Sequence, residues 1–294
     1  MTSQNKAFIY AGFAVLFWST AAAAFKYTLR YLDPVEMLFF ASLTASSILF
    51  LMLFLQKKLI LLKSYTGRDF LHSAFLGLLN PFLYYLMLFR AYSLLPGQVA
   101  QPLNFVWPLM IVLLSVPLLR QKITTFSLLA IIISLAGVII ISTQGKLLSM
   151  RMANTEGVIL ALSSSLLWAL FFILNVRHKH DETVKLFLSF SFGFLFILPV
   201  FLLRSHSFCG KGIPGAVYIG LFEMGITFVI WVKALKLSRT TAQVNNLIYL
   251  TPFLALIFLH VIIGEIIHFS TFIGLILIVT GIVIQRNLGE KHRL

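Results

Sequence analysis

The sequence predicts an all-α membrane protein of ten transmembrane helices arranged as two inverted five-helix repeats. Three observations carry this expectation. Of the 294 residues, 60% are hydrophobic and only 11% charged, with a mean hydropathy of +0.97, outside the range of soluble globular domains. The apolar residues gather into ten runs near the ~20-residue length that crosses a ~30 Å hydrocarbon core. The second half of the chain also echoes the first at a nearly constant offset.

Apolar runs between charged or turn-forming clusters place the spans at 7–29, 34–55, 70–90, 98–118, 124–143, 156–176, 184–203, 213–235, 241–263 and 269–286. The first follows a single basic residue, Lys6. It is too long for a signal-peptide core and has no clear small-residue cleavage site, so it is expected to stay as the first span. The second opens at Asp33-Pro34, the third after "YTGRD" (65–69), and the fourth after "LPG" (95–97). A polar connector, "TQGKLLSMRMANTE" (143–156), separates the fifth from the sixth. The remaining four are bounded by "RHKHDE" (177–182), "CGKG" (209–212), "KLSRTT" (236–241) and "GEIIH" (264–268). Little length is left for a soluble domain.

Counting Lys and Arg on alternate sides puts 16 of the 23 on the face that holds the N-terminus and 7 on the other. Positive loops are retained inside, so both termini are expected in the cytoplasm, with the chain in a bacterial inner (plasma) membrane. The formal charge of +14 lies in small groups between apolar runs rather than on one face or tail, which argues against nucleic acid as a partner. Cys209 is the only cysteine, which excludes an intramolecular disulfide.

A shift of 144 residues lays "LNFVWPLMIVLL" (103–114) over "LIYLTPFLALIF" (247–258), matching Leu103 with Leu247 and Pro108 with Pro252. It also lays "LAGVII" (135–140) over "VTGIVI" (279–284), matching Gly137 with Gly281. A shift of 143 lays "GLLNPFLYYLMLFRAYSL" (77–94) over "GLFEMGITFVIWVKALKL" (220–237), so that Asn80 meets Glu223 and Arg90 meets Lys233. The expected units are residues 1–143, a connector at 144–155, and residues 156–294. Five spans are an odd number, so the second unit enters the membrane in the opposite sense. Inverted repeats of this kind place a site near the midplane that can face either side in turn.

The residues "FWST" (17–20), "NFVWP" (104–108), "GLFEMGITFVIWVKAL" (220–235), "YLTP" (249–252) and "GE" (264–265), in this order on ten spans, resemble the EamA family of the drug/metabolite transporter superfamily. The likeness covers nearly the whole chain. Among its branches, "NFVWP" and the Trp-Ser-Thr of the first span look closest to YddG-type aromatic amino acid exporters. The resemblance implies a ten-helix bundle with a central cavity lined by spans 1, 3, 4, 6, 8 and 9. It does not specify a substrate, since the superfamily handles amino acids, drugs, nucleotide sugars and other metabolites. Glu223 departs from the pattern, which expects a small or apolar residue at that position.

A charge near the bilayer centre costs on the order of 3 kcal/mol, so it normally faces the bundle interior, a partner or water. Glu223 is therefore the first candidate site residue, with Asn80 as its counterpart in the first repeat. Tyr84 and Thr227 lie one turn onward from each, which predicts two facing polar stripes. Glu223 is expected either to bind a cationic substrate or to carry a proton; the alternative is a structural carboxyl that joins helices. Gln101, Asn104 and Pro108 share one face of span 4, and Asn245, Tyr249 and Pro252 one face of span 9. Each proline frees a carbonyl one turn earlier, and Pro108 and Pro252 are the candidate hinges. Any of the four Trp can anchor a membrane interface, but Trp18 and Trp168 lie near mid-span, where a cavity wall fits better and cation–π attraction is available.

These residues point to a secondary transporter that moves a small organic metabolite by alternating access, exporting amino acids or related solutes. The alternative is uptake or exchange of a cationic metabolite, S-adenosylmethionine-like in charge, on Glu223. An enzyme is not expected, for want of a nucleophile–base pair, and a non-transporting scaffold would not need costly paired polar residues at the midplane. No G-x-x-x-x-G-K-[ST] sequence and no histidine–carboxylate metal spacing occurs, so neither a nucleotide nor a metal nor another cofactor is expected. The expected partners are a small-molecule substrate, the lipid bilayer and protons as coupling ion, with the chain a monomer or weak dimer.

Overall fold

The structure, a computed structural model, describes residues 2–120, 124–146, 154–177, 180–204, 210–238, 244 and 246–289. Among them no strand occurs. Nine helices are long and apolar enough to cross a membrane: α1 Ser3–Thr28, α2 Pro34–Leu55, α3 Gly67–Leu94, α4 Gly97–Leu119, α5 Thr125–Ser142, α6 Thr155–Arg177, α7 Glu182–Leu202, α8 Gly210–Leu237 and α10 Phe269–Asn287. A shorter apolar helix, α9, covers Leu247–Ile263. The expected start of that span at 241, along with Asn245 and Cys209, lies outside the described residues.

Helix starts follow local chemistry. Asp33 caps α2 by accepting from the Val35 and Glu36 amides at 2.7 and 2.9 Å, while the Glu36 carboxylate accepts from the Asp33 amide at 3.0 Å. Thr66 and Asp69 form the same reciprocal box at the start of α3, satisfying amides that have no partner within the helix. Thr124 caps α5 through the Ser127 amide at 3.1 Å.

Two helices are interrupted at related places. α3 widens into a π-helical stretch at Leu78–Leu83, with Asn80 out of helical geometry at φ −148° and ψ 118°. α8 does the same at Ile219–Gly225, where Gly225 has φ −107° and ψ −92°. α4 breaks at Phe105 and restarts at Trp107, and α9 passes from a tight Leu247–Leu250 turn to a restart at Thr251. Pro108 and Pro252 each occupy the second position of the restarted helix, where a missing amide hydrogen costs nothing.

The interior is built by small residues. In α5, an almost wholly apolar helix, Leu128, Ile132, Leu135 and Ile139 point outward, each at least half exposed. Ala130, Ser134, Gly137 and Ile141 face inward on the opposite side. They pack against α10, where a Cβ added to Gly137 would lie 2.5 Å from the Gly274 carbonyl oxygen and one added to Gly281 would lie 2.6 Å from that of Ala130. With lipid as apolar as the side chains, close backbone approach is what selects the packed face. The other main pairings are α3 with α6 and α7, α2 with α7 and α8, α1 with α8 and α9, and α6 with α4.

Candidate functional site

An inner chamber of about 90 Å³ lies at mid-bundle, lined by six helices. α1 contributes Trp18 and Phe25, α3 Tyr84 and Tyr85, and α4 Gln101, Asn104, Phe105 and Trp107. α6 contributes Trp168, α8 Glu223 and Phe228, and α9 Ile248 and Thr251. The six helices are those expected to surround the cavity.

Aromatic rings form most of the wall. Trp18 lies 5.6 Å from Phe228 and 5.4 Å from Trp231, and Trp168 lies 5.5 Å from Tyr84 and 5.7 Å from Phe228. Glu223 is the chamber's one carboxylate, and no Lys, Arg or His lines it among the described residues. The Tyr85 hydroxyl donates to Glu223 Oε1 at 3.1 Å, and Trp18 Nε1 donates to the Glu223 carbonyl at 3.4 Å. A second polar group stands across the chamber. Tyr84 OH donates to Asn104 Oδ1 at 3.2 Å, Asn104 Nδ2 donates to Ser164 Oγ at 2.9 Å, and Tyr92 OH donates to Gln101 Oε1 at 2.6 Å.

The chamber is open at one end. An outer cavity of about 540 Å³ shares Trp18, Trp107, Trp168, Phe228 and Ile248 with it and reaches Asn175, Glu182 and Lys236. A vestibule of about 360 Å³ continues past Lys236 and Lys233 to the Lys58–Asp181 ion pair, 2.8 Å long. At the other end the helices are tied together. Glu265 accepts from the Gly97 and Gln98 amides at 2.7 and 3.0 Å, placing a carboxylate at the start of α4. The Gln98 side chain bridges to Ile266, His268 and Thr271. Lys26 of α1 donates to the Tyr92 and Leu95 carbonyls, both at 3.0 Å.

The EamA-like transporter family profile matches residues 5–143 and again residues 155–285. The chain belongs to the EamA-like transporter family. It is an integral membrane protein whose two EamA repeats contribute to one chamber. A protein of Archaeoglobus fulgidus described as an uncharacterized transporter is 24% identical over 99% of this chain and 100% of its own. A Clostridium kluyveri protein with the same description is 25% identical over 98% and 95%. The uncharacterized transporter YetK of Bacillus subtilis is 27% identical over 68% and 63%. A crystal structure superimposes with a TM-score of 0.67 at 20% identity over 99% of each chain, a likeness of fold alone.

Within this EamA-like architecture, the candidate residues Glu223, Tyr84, Gln101, Asn104, Trp18 and Trp168 all line the inner chamber. Two residues of the expected polar stripes do not. Asn80 is fully buried near the α3–α7 contact, where its neighbour Pro81 meets Gly193, and its side chain has no hydrogen-bond partner among the described residues. Thr227 is also fully buried, donating to the Phe222 carbonyl. In α3 the physical reason is the break at Asn80 itself, whose extended backbone takes it off the face of the helix that follows; in α8 it is the π-helical turn. A π turn brings residue i+5, not i+4, onto the face of residue i, and Phe228 rather than Thr227 joins Glu223 at the chamber wall.

Tyr249 lies outside the inner chamber, in a groove of about 450 Å³ that also holds Pro108 and Arg286; Arg286 donates to Asn246 at 2.6 Å and lies 6.0 Å from the Tyr249 ring. Pro252 is buried beside Thr251. Trp107 and Trp231, which the sequence allowed as interfacial anchors, also face the cavities, Trp107 both of them and Trp231 the outer one. Tyr85 and Phe228 were missed; counting five residues on from Glu223 would have found Phe228. Among the described residues, no group of three His, Cys, Asp or Glu side chains could hold a metal ion.

Proposed function

We propose that this chain is a secondary transporter that moves a small organic metabolite by alternating access. The observation that carries the reading is the mid-bundle chamber, continuous with the Lys236 end and closed at the Glu265 end. A site reachable from one side only is one state of an alternating cycle. The helix pairings support two inverted repeats, 1–143 and 156–294, joined by the connector 144–155. Exchanging the halves turns the contact of α1 with α8 and α9 into that of α6 with α3 and α4, while the α2–α7 and α5–α10 pairs map onto themselves.

The excess of Lys and Arg at the Lys236 end supports placing that end, and both termini, in the cytoplasm of a bacterial inner membrane. The chamber would then be loaded from the cytoplasm, in keeping with export. Pro108 and Pro252, beside the breaks in α4 and α9, are positioned to act as hinges when the Glu265 end opens. The aromatic wall favours an apolar or aromatic body, and the single carboxylate favours an amine. Amino acids and related amine-bearing solutes are therefore the proposed cargo, in line with the resemblance to aromatic amino acid exporters. Glu223 could also release or take up the coupling proton, since it sits where bound solute and proton would compete. Uptake or exchange of a cationic metabolite is the second reading, and the lack of a basic lining residue favours it.

Counterflow in proteoliposomes preloaded with a mixed metabolite pool tests transport. One or more amine-bearing compounds should exchange and the rest should not. Failure of every compound to cross would overturn the proposal.

A further inference from the structure

Glu223 stands in a chamber that offers a charge to one kind of ligand group only. We infer that the chamber binds organic monocations, amines with an apolar or aromatic body and no neighbouring carboxylate, in preference to zwitterionic amino acids. The inference rests on the chamber being the transport site and deepens that reading by choosing between its two cargo classes.

Charge balance decides the choice for the ionised carboxylate, the state that a bound cation selects. An ammonium beside Glu223 neutralises the carboxylate, so the occupied chamber carries no net charge. An α-amino acid brings its carboxylate on the same carbon as its ammonium, so both groups must enter the inner chamber together. The second carboxylate would then face only neutral donors. Asn104 already donates to Ser164, and the Gln101 oxygen is held by Tyr92. A net negative charge at the centre of the bundle is what burial penalises most. The basic side chain lining the outer cavity among the described residues is Lys236, at its mouth, and no basic residue lines the inner chamber.

Shape agrees with charge. At about 90 Å³ the inner chamber is the smaller of the two cavities and suits the ammonium head. The ring would lie in the outer cavity of about 540 Å³, among Trp107, Trp168, Phe172 and Trp231. Trp18 and Phe228 line both cavities, so their rings flank the point where head and body meet and can contribute cation–π attraction.

The test is equilibrium binding of matched pairs to the purified full-length chain in nanodiscs: tryptamine against tryptophan, and phenethylamine against phenylalanine. Each amine should bind at least about tenfold more tightly than its amino acid. Glu223→Gln should remove that preference, while Glu223→Asp, which keeps the charge, should retain part of it; thermal melts report whether each variant folds. Equal or tighter binding of the amino acids, or binding of neither class, overturns the inference. Should a variant not fold, the wild-type pairs still decide. Because binding is read without flux, selective amine binding with no counterflow would sink transport and leave only the chamber's binding preference, whereas counterflow of amino acids alone would keep transport and overturn the inference.

Discussion

Tyr85 on α3 donates a hydrogen bond of 3.1 Å to the Glu223 carboxylate on α8, and that contact joins the two EamA repeats at the wall of the chamber. Tyr85 is 1% exposed, so its ring is fixed by packing and its hydroxyl holds one carboxylate oxygen in place. A hydrogen bond to a charged group contributes about 1.5–3 kcal/mol. Because the bond is already made without ligand, Tyr85→Phe should lower the melting temperature, and it should weaken ligand binding by roughly up to tenfold as the carboxylate loses its fixed position. Titration of the variant with the ligand found in counterflow checks this, and an unchanged affinity would remove Tyr85 from the site.

Glu265 holds the closed end of the bundle through the Gly97 and Gln98 amides. Glu265→Gln keeps the shape but loses the charge that favours those donors at the start of α4. With about 1 kcal/mol less holding that end shut, a cysteine placed at Phe25 in a Cys209→Ser background should be labelled roughly fivefold faster from the Glu265 side. Equal labelling rates would show that the closure does not depend on this carboxylate.

Gly137 and Gly274 bring α5 and α10 into backbone contact. Gly137→Val has no room for its side chain and should destabilise the protein by about 2 kcal/mol. The readout is thermal unfolding in detergent. A melting temperature within error of wild type would mean that the two helices are not packed as described.

Asp181 caps α7 through the Thr183 and Val184 amides and pairs with Lys58 at the vestibule. Partial burial works against its charge, but Lys58 and the two amides outweigh that and hold the carboxyl below its usual range. A carboxyl depressed in the folded state stabilises it above the unfolded value, about pH 4, and loses that contribution as pH falls through the folded value. Asp181→Asn should thus cost about 0.5–1 kcal/mol at neutral pH, and the gap from wild type should close on acidification below pH 4. A constant gap from pH 7 to pH 3 would contradict the assignment.

Much of the site was legible because the repeat could be aligned. The offset of 144 residues carries the helix restart at Trp107 onto that at Thr251, and the left-handed residue Arg120 onto Gly264. Both Asn104 and Ile248, one turn before the repeated prolines, line the chamber. The polar stripes were only half right, because a π turn leaves no mark in a periodicity count based on 3.6 residues. It put Phe228 at the wall in place of Thr227, and the backbone break at Asn80 took that residue out of the chamber.

Composition and helix-length apolar runs are enough to specify a membrane-embedded helical bundle, since oil and water sort whole segments regardless of how these meet. They also single out Glu223, whose charge is costly wherever its helix is placed. The sequence could not say which neighbours Glu223 would meet, or which end of the bundle would be shut. Those depend on backbone turns of unusual pitch and on contacts such as Glu265 with Gly97 and Lys26 with Leu95, made between residues far apart in the chain. Tertiary packing alone brings such groups within hydrogen-bonding distance.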